Sequence, residues 1–511
     1  MAARPEDAGA ARILSARTGA RRRVPLVLTW VLAVLVLGAW GAWAGPGWNP
    51  QPMTNLIVPQ TASTAIVSAV NTPRLGAFEV ASSIHEVALS DGQKIQVTLR
   101  EPVGKEGQSP AIVFLHGTGT FTHKAFAQHA TWLASTGIVT AVPDKLLNHY
   151  SAFERDYVGL SKEYQAVATW LRAQGSVYAR EVGYYGESEG ALIAPIAVVN
   201  DADAAFLVLV SDPAMPIREQ GAFAADAYLR KLGAPSSLYQ AIPRLISGAI
   251  ADGNFLYATF DPGPYHERIT VPVMMAYGTK DLSMPIVQGP IRVAEDLKEA
   301  GNDDLVLRYY KDADHGLRID KELQSQPYQD ISDFINGLPS SVRMSPAVAG
   351  AQPRQDYTAQ TLDTPRWFGS GDAMAAILAS GLMLTLLGSL LMIGGRLPWA
   401  RRQTYRGVGR PILASGVLIT LTWLAFLTYV MAVARLALSY ETNRWVVQGG
   451  ALGVQMLGLL ALFFLVFAAS RWYARPMLTR HAGASLRVVV TGQILLLFAL
   501  AYWGIYPSPF F

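Results

Sequence analysis

Glu181-Val182-Gly183-Tyr184-Tyr185-Gly186-Glu187-Ser188-Glu189-Gly190-Ala191-Leu192-Ile193-Ala194-Pro195 is the stretch on which the reading of the chain turns. An apolar run ends at Tyr185, a Gly-x-Ser-x-Gly pentapeptide follows, and small apolar residues continue to Val199. Between a strand and a helix this pentapeptide forms a nucleophile elbow, a turn so tight that the serine is strained and only glycine fits beside it. Ser188 would then project into solvent at a helix N-terminus, where developing negative charge is favoured. In a chain with 45 glycines the pattern also arises by chance as a plain strand-to-helix turn, so its surroundings have to decide.

Upstream, Phe78 to Leu89 and Lys94 to Arg100 alternate polar and apolar residues around Ser90-Asp91-Gly92, a hairpin pattern. Buried-type strands then alternate with amphipathic helices: strand Ala111 to Leu115, helix His123 to Ser135, strand Ile138 to Val142, helix Glu154 to Ala173, and then the elbow. Phe206 to Val210, Val273 to Tyr277 and Leu305 to Tyr310 read as three more strands, with helices at Ile286 to Glu299 and Tyr328 to Asn336. An antiparallel start followed by strand-helix repeats implies an α/β fold, a mostly parallel central sheet with helices on both faces. Between 213 and 268 the pattern breaks into aromatic-rich helical stretches. They are expected as a helical cap shaping an apolar pocket, or alternatively as cover for a sheet edge.

The chain has 511 residues, of which 51% are hydrophobic and 16% charged, too apolar to be soluble throughout. Residues 24–44 form a 21-residue apolar run after Arg21-Arg22-Arg23, long enough to span a bilayer. Ala42-Trp43-Ala44 before Gly45 has the form of a signal-peptide cleavage site. The run nevertheless exceeds the usual about 7 to 15 residues, so an uncleaved anchor is expected. Residues 45–75 read as a linker with a short helix near 62–70, residues 76–338 as the α/β domain, and 339–373 as a second linker. Residues 374–506 hold four further spans, at 374–394, 411–433, 450–469 and 488–506, so the membrane region comprises five transmembrane helices.

Fifteen of the 42 basic residues lie in three segments beside these runs, at Arg4 to Arg23, Arg396 to Arg410 and Arg471 to Arg487, leaving 27 basic against 36 acidic residues elsewhere. The excess is therefore a topology signal rather than a nucleic-acid footprint, and no nucleic-acid partner is expected. It predicts a cytoplasmic N-terminal tail at 1–23 and a multi-pass cell-membrane protein whose α/β domain lies on the extracytoplasmic side. The four C-terminal spans have no Asp, Glu, Lys, Arg or His in their interiors, which favours a structural bundle over a transporter, with Gly381, Gly388, Gly449 and Gly453 suited to close helix packing. The absence of cysteine excludes disulfides, thiolate zinc sites and a cysteine nucleophile.

Acyl transfer by a serine needs a base, an acid that orients the base, and donors for the oxyanion. In elbow architectures these follow in the order Ser, acid, His. After Ser188 the histidines are His266, within the cap region before a later strand, His481, in an expected cytoplasmic loop, and His315, just after the last strand. His315 is the position the mechanism requires. Asp281 ends Tyr277-Gly278-Thr279-Lys280-Asp281, a strand running into a turn at the sheet edge where sites of open α/β folds gather; Asp212 is the alternative acid. The oxyanion donors are expected to be the backbone N–H of Glu189 and one from His116-Gly117-Thr118-Gly119, Thr118 first with Gly119 as alternative. His116 is expected to hold that loop through side-chain hydrogen bonds.

Together His116-Gly117-Thr118-Gly119, Gly186-Glu187-Ser188-Glu189-Gly190, Leu192-Ile193-Ala194-Pro195, Tyr277 to Asp281 and Asp314-His315-Gly316 resemble the α/β-hydrolase superfamily over about residues 76–338. The resemblance is greatest to its dienelactone-hydrolase-like and acyl-esterase branch, whose elbow often reads Gly-His-Ser-Glu-Gly followed by Leu-Ile-Ala-Pro. It implies an α/β-hydrolase fold and a serine hydrolase with Ser188, Asp281 and His315 as triad and no metal or cofactor. Here Glu187 replaces the commoner histidine, so two carboxylates flank the nucleophile, either disfavouring anionic substrates or pairing with nearby cations. An ester or thioester of a lipid or acylated envelope component is the expected substrate, with the bilayer as partner. Acyl transfer by the same triad, peptide hydrolysis and a non-catalytic assembly role are the alternatives.

Overall fold

Period-two alternation sorts the strand residues onto two faces of one sheet. Ala111, Val113 and Leu115 enter one apolar core and Ile112 and Phe114 the other; Leu207 and Leu209 part from Val208 and Val210 in the same way. The computed structural model describes residues 26–148, 150–151, 154–251, 257, 259–395, 405, 407–439, 441–474 and 480–507. The expected N-terminal tail, Asn254 to Leu256 of the expected cap region, and Arg396, Arg401, Arg402, Arg406 and Arg475 lie outside them.

The sheet consists of β1 (Glu79–Ala88), β2 (Lys94–Val103), β3 (Ser109–Leu115), β4 (Val139–Pro143), β5 (Val177–Glu187), β6 (Leu207–Val210), β7 (Val273–Gly278), β8 (Leu305–Tyr310) and, beyond a small ribbon, β11 (Val348–Gly350). The ribbon pairs β9 (Arg318–Ile319) with β10 (Glu322–Leu323). Strand order is β1-β2-β4-β3-β5-β6-β7-β8-β11, antiparallel for β1 and β2 and parallel from β4 to β11. Helices Tyr157–Arg172, Gly190–Val199 and Gln288–Glu299 cover one face; Ala127–Ala134 and Gln326–Asn336 cover the other. Because β3 to β8 run parallel, the segments at 116–119, 188–190, 211–214, 279–281 and 311–315 all emerge at one edge.

Contacts divide the chain into two units. The sheet unit comprises residues 49–228 and 249–362, so it takes in most of both stretches that read as linkers. No helix forms within residues 49–75. Instead this stretch is stitched to the strand edge: Gln60 N–H donates to Val348 O (2.9 Å), Gly350 N–H to Thr61 O (2.9 Å), and the buried Arg308 donates to Thr64 O (2.8 Å) and Pro346 O (2.9 Å). Backbone groups that alternation does not mark are satisfied by this pairing, since a buried orphan would cost about 1–3 kcal/mol.

The second unit comprises residues 1–48, 229–248 and 363–511. Among the described residues it contains five helices long and apolar enough to cross a membrane: Leu26–Ala44, Gly371–Gly394, Gly409–Ala437, Trp445–Tyr473 and Ala482–Tyr502. Gly381 and Gly388 face Leu496 and Val489, where an added Cβ would come within 2.8 and 2.6 Å, whereas Gly449 and Gly453 meet no close neighbour. Buried polar side chains cap neighbouring backbone, as in Ser415 Oγ to Ala461 O (3.0 Å) and Gln493 Nε2 to Ile412 O (2.9 Å). The middle of the expected cap, 229–248, packs in this unit: Gln448 Nε2 donates to Leu232 O (3.1 Å) and Gly233 O (3.0 Å), and the buried Arg244 donates to Tyr502 O.

Candidate active site

Ser188 follows β5 directly and has φ +57°, a left-handed conformation uncommon for serine and costing of order 1–3 kcal/mol. Its N–H donates to Val210 O (3.0 Å) and its carbonyl accepts from Ala191 N–H (2.9 Å), fixing the turn between β5, β6 and helix Gly190–Val199. The flanking glycines are required sterically. A Cβ at Gly186 would lie 2.6 Å from Gly190 O, and one at Gly190 would lie 2.8 Å from the Leu115 carbonyl carbon. All but the last residue of the helix are buried, which anchors the elbow in the core.

The loop after β3 lies beside the serine: a Cβ at Gly117 would stand 3.4 Å from Ser188 Cβ and 4.0 Å from its Oγ. His116 is fully buried and donates Nε2–H to Pro143 O (2.6 Å), while its own N–H bonds to Tyr164 Oη (3.2 Å). Burial lowers its pKa to about 4, so the imidazole is neutral, and its bond to Pro143 O ties the residue to the end of β4. Thr118 and Gly119 lie exposed, Gly119 with φ +85°.

Asp281 and His315 meet at the same edge, Asp281 Oδ2 lying 2.9 Å from His315 Nδ1. The Asp281 side chain is fully buried and its other oxygen accepts Ser283 N–H (2.9 Å); His315 is 17% exposed. Desolvation alone would lower the His315 pKa, but the Asp281 charge and hydrogen bond, with Glu187 adding to them, raise it above 6.5. Gly316 N–H donates to Ser211 Oγ (3.1 Å), tying the His315 loop to the end of β6, where Ser211 has φ +48°.

Asp212 does not join this pair. It is fully buried, accepts Ala214 N–H (3.0 Å), and burial pushes its carboxyl up to about 6 against the opposing pull of His266 and Arg292. His266 pairs instead with Asp296 at 3.3 Å, and His481 belongs to the helical unit.

The two carboxylates flanking Ser188 have different partners. Glu187 accepts from Tyr185 Oη (2.7 Å) and lies 3.8 Å from Arg318 and from His129. Glu189 accepts from Lys145 (3.0 Å), Tyr150 Oη (2.6 Å), Tyr157 Oη (3.0 Å) and Arg155. Burial would raise its carboxyl, but Lys145 and Arg155 outweigh that and hold it below the usual range. Lys145 and Arg155 are absent from the sequence reading. The available signal was Lys145 two residues past strand β4, at the same sheet edge as the elbow.

Apolar walls adjoin these groups. Tyr157 packs edge-on against Phe260 (5.0 Å) and Tyr257 (6.1 Å), and Phe260 stacks on Tyr265 (6.0 Å).

Residues 125–338, less than half of the chain, match the prolyl oligopeptidase family, and this segment includes Ser188, Asp281 and His315. Solved structures with similar folds include a candidate dienelactone hydrolase from Klebsiella pneumoniae, 14% identical, covering 50% of this chain and 98% of that one with a TM-score of 0.37. A 2,6-dihydroxy-pseudo-oxynicotine hydrolase is 20% identical, covering 52% and 71% with a TM-score of 0.38. Esterase 2 of Thermogutta terrifontis is 17% identical, covering 49% and 92% with a TM-score of 0.36. No curated protein matches the chain. The parallel sheet with its elbow after β5 and the family match over residues 125–338 make the sheet-bearing part of this chain a serine hydrolase of α/β type, in a chain whose described residues also include five helices of membrane-spanning length and composition.

Proposed function

We propose that the protein is a membrane-anchored carboxylesterase that cleaves an ester or thioester through a Ser188-His315-Asp281 triad. The observation that carries this reading is the Asp281–His315 hydrogen bond of 2.9 Å, at the sheet edge from which the strained Ser188 also emerges. Ser188 Oγ attacks the acyl carbon and its proton passes to His315 Nε2, while Asp281 holds Nδ1–H and stabilises the imidazolium. The Glu189 N–H and a second amide, from Thr118 or Gly119, stabilise the oxyanion. Collapse expels the alcohol or thiol with the proton from His315. Water, deprotonated by His315, then releases the acid and restores Ser188.

The aromatic walls at Tyr157, Tyr257 and Phe260 suit an apolar acyl group. The arginine-rich segments favour a multi-pass plasma-membrane protein with a cytoplasmic N-terminus and an extracytoplasmic catalytic domain. Exposed Trp43, Trp367 and Trp445, at the ends of three spans, fit an aromatic belt on the side from which that domain emerges. Proximity to the bilayer makes a lipid or acylated envelope component the substrate class, with no cofactor, metal or nucleic acid required. A second reading, peptide hydrolysis by the same triad, is favoured by the family match. Assaying acyl p-nitrophenyl esters beside aminoacyl p-nitroanilides separates the two.

The direct test is labelling of the full chain by a fluorophosphonate probe with peptide mapping. Adduct on Ser188 is expected, and a folded protein left unlabelled there refutes the reading. The raised His315 pKa adds a pH signature. The base must be neutral, so kcat/KM is expected to rise with pH through an apparent value above 6.5. Because the Glu187 carboxylate favours the imidazolium, Glu187→Gln is expected to move that acid limb to lower pH, measured by a kcat/KM profile of both proteins.

A further inference from the structure

The side chain of Glu189, distinct from the backbone N–H assigned to the oxyanion, enters a closed charge cluster. It is 4% exposed and faces Lys145, whose side chain is fully buried, Arg155, Tyr150 and Tyr157. A carboxylate so placed is costly unless paired and fully hydrogen-bonded, and apolar residues of the same volume would serve stability as well or better. The cluster therefore calls for a reason beyond stability. Both cations also hold the loop after β3: Lys145 Nζ donates to Gly117 O (3.3 Å) and Arg155 to Thr118 Oγ1 (3.4 Å). Lys145 further sits 4.0 Å over the Tyr150 ring and Arg155 4.5 Å over Tyr257, so neither side chain is free to swing.

We propose that Lys145 and Arg155 are positioning residues that clamp the Gly117-Thr118 loop to the Glu189 turn, setting the spacing between the two amides of the oxyanion hole. The inference rests on the triad reading above, because it assigns the same two loops as oxyanion donors. The amides belong to loops after different strands, β3 and β5, and no backbone hydrogen bond between strands reaches past Leu115 and Gly186 to fix them. A salt-bridged carboxylate immediately after the nucleophile supplies that missing connection. Oxyanion donors act over a narrow range of distance, so small displacement of one loop weakens the transition state far more than the bound substrate.

The test uses the full chain in detergent, with p-nitrophenyl butyrate turnover, fluorophosphonate labelling rate, and inhibition by a trifluoromethyl ketone, which forms a tetrahedral oxyanion on serine. Lys145→Met is expected to lower kcat about 10²-fold, with KM changed less than about threefold and ketone affinity falling in step with kcat. Arg155 lies at the partly exposed rim and tolerates exchange more readily, so it keeps the idea testable should Lys145→Met fail to fold. Arg155→Met is expected to lose about tenfold in kcat, and Arg155→Lys to recover most of it. Folded variants with kcat and ketone affinity within about twofold of wild type, while wild-type Ser188 labels normally, overturn the clamp alone. An unlabelled wild-type Ser188 overturns the triad reading, and the clamp with it.

Discussion

Ser188→Ala is expected to lower kcat for p-nitrophenyl butyrate on the order of 10⁵- to 10⁶-fold, while the thermal midpoint of the protein stays within a few degrees of wild type. Losing the hydroxyl removes the attacking atom but little packing, because the side chain sits at the mouth of the elbow rather than in the core. The backbone at φ +57° is as uncomfortable for alanine as for serine, so no large relaxation offsets the change. Residual turnover above the solution rate would come from the oxyanion donors and substrate binding alone. Activity within about tenfold of wild type would remove Ser188 from the mechanism. The same variant tests the substrate class. Membranes holding wild-type protein are expected to differ in acyl-chain profile from those holding Ser188→Ala, and identical profiles would discard the lipid substrate while leaving an esterase.

The elements legible in the sequence were those whose cause is local. Alternating apolar residues in 111–115, 206–210, 273–277 and 305–310 face two cores, and the observed β3, β6, β7 and β8 follow them to within about two residues at each end. The elbow was legible because its pentapeptide is contiguous and Gly186 packs against Gly190 within it, although Gly190 is also demanded by the distant Leu115 carbonyl. Asp281 and His315 could be named because motif order along the chain stands in for their meeting in space; their side chains lie 2.9 Å apart. What stayed hidden depends on distant partners. β11 is three residues long and exists because β8 offers it a free edge, and the strap at 49–75 forms bonds to 340–350 that neither stretch announces. The cap residues 229–248 carry the apolar composition of a pocket cover, yet that composition suits packing in the helical unit equally well, which is where they go. Glu189 read only as one of two carboxylates beside a nucleophile, and its four partners come from 32 to 44 residues upstream.

Asp281→Asn is expected to lower kcat on the order of 10⁴-fold at neutral pH with KM nearly unchanged, whereas Asp212→Asn leaves kcat within about tenfold. The two carboxyls occupy the ends of neighbouring strands, β7 and β6, and chain order alone allows either to serve His315. Their surroundings separate them. Asp281 accepts from His315 Nδ1 at 2.9 Å and from Ser283 N–H at 2.9 Å, so an amide in its place either turns its NH₂ toward the ring or forces Nδ1 to give up its proton. In either case the tautomer that leaves Nε2 free to accept the Ser188 proton is lost, and the forming imidazolium has no compensating charge. Asp212 instead accepts Ala214 N–H at 3.0 Å, a bond that an isosteric amide oxygen keeps, so Asn there changes little. Because the charge at Asp281 also raises the His315 pKa, residual activity of Asp281→Asn is expected to have its acid limb at lower pH than wild type. A loss of similar size in both variants would mean that the strand ends act as one packed unit. A loss confined to Asp212→Asn would move the acid to β6 and make the Asp281–His315 bond a structural contact.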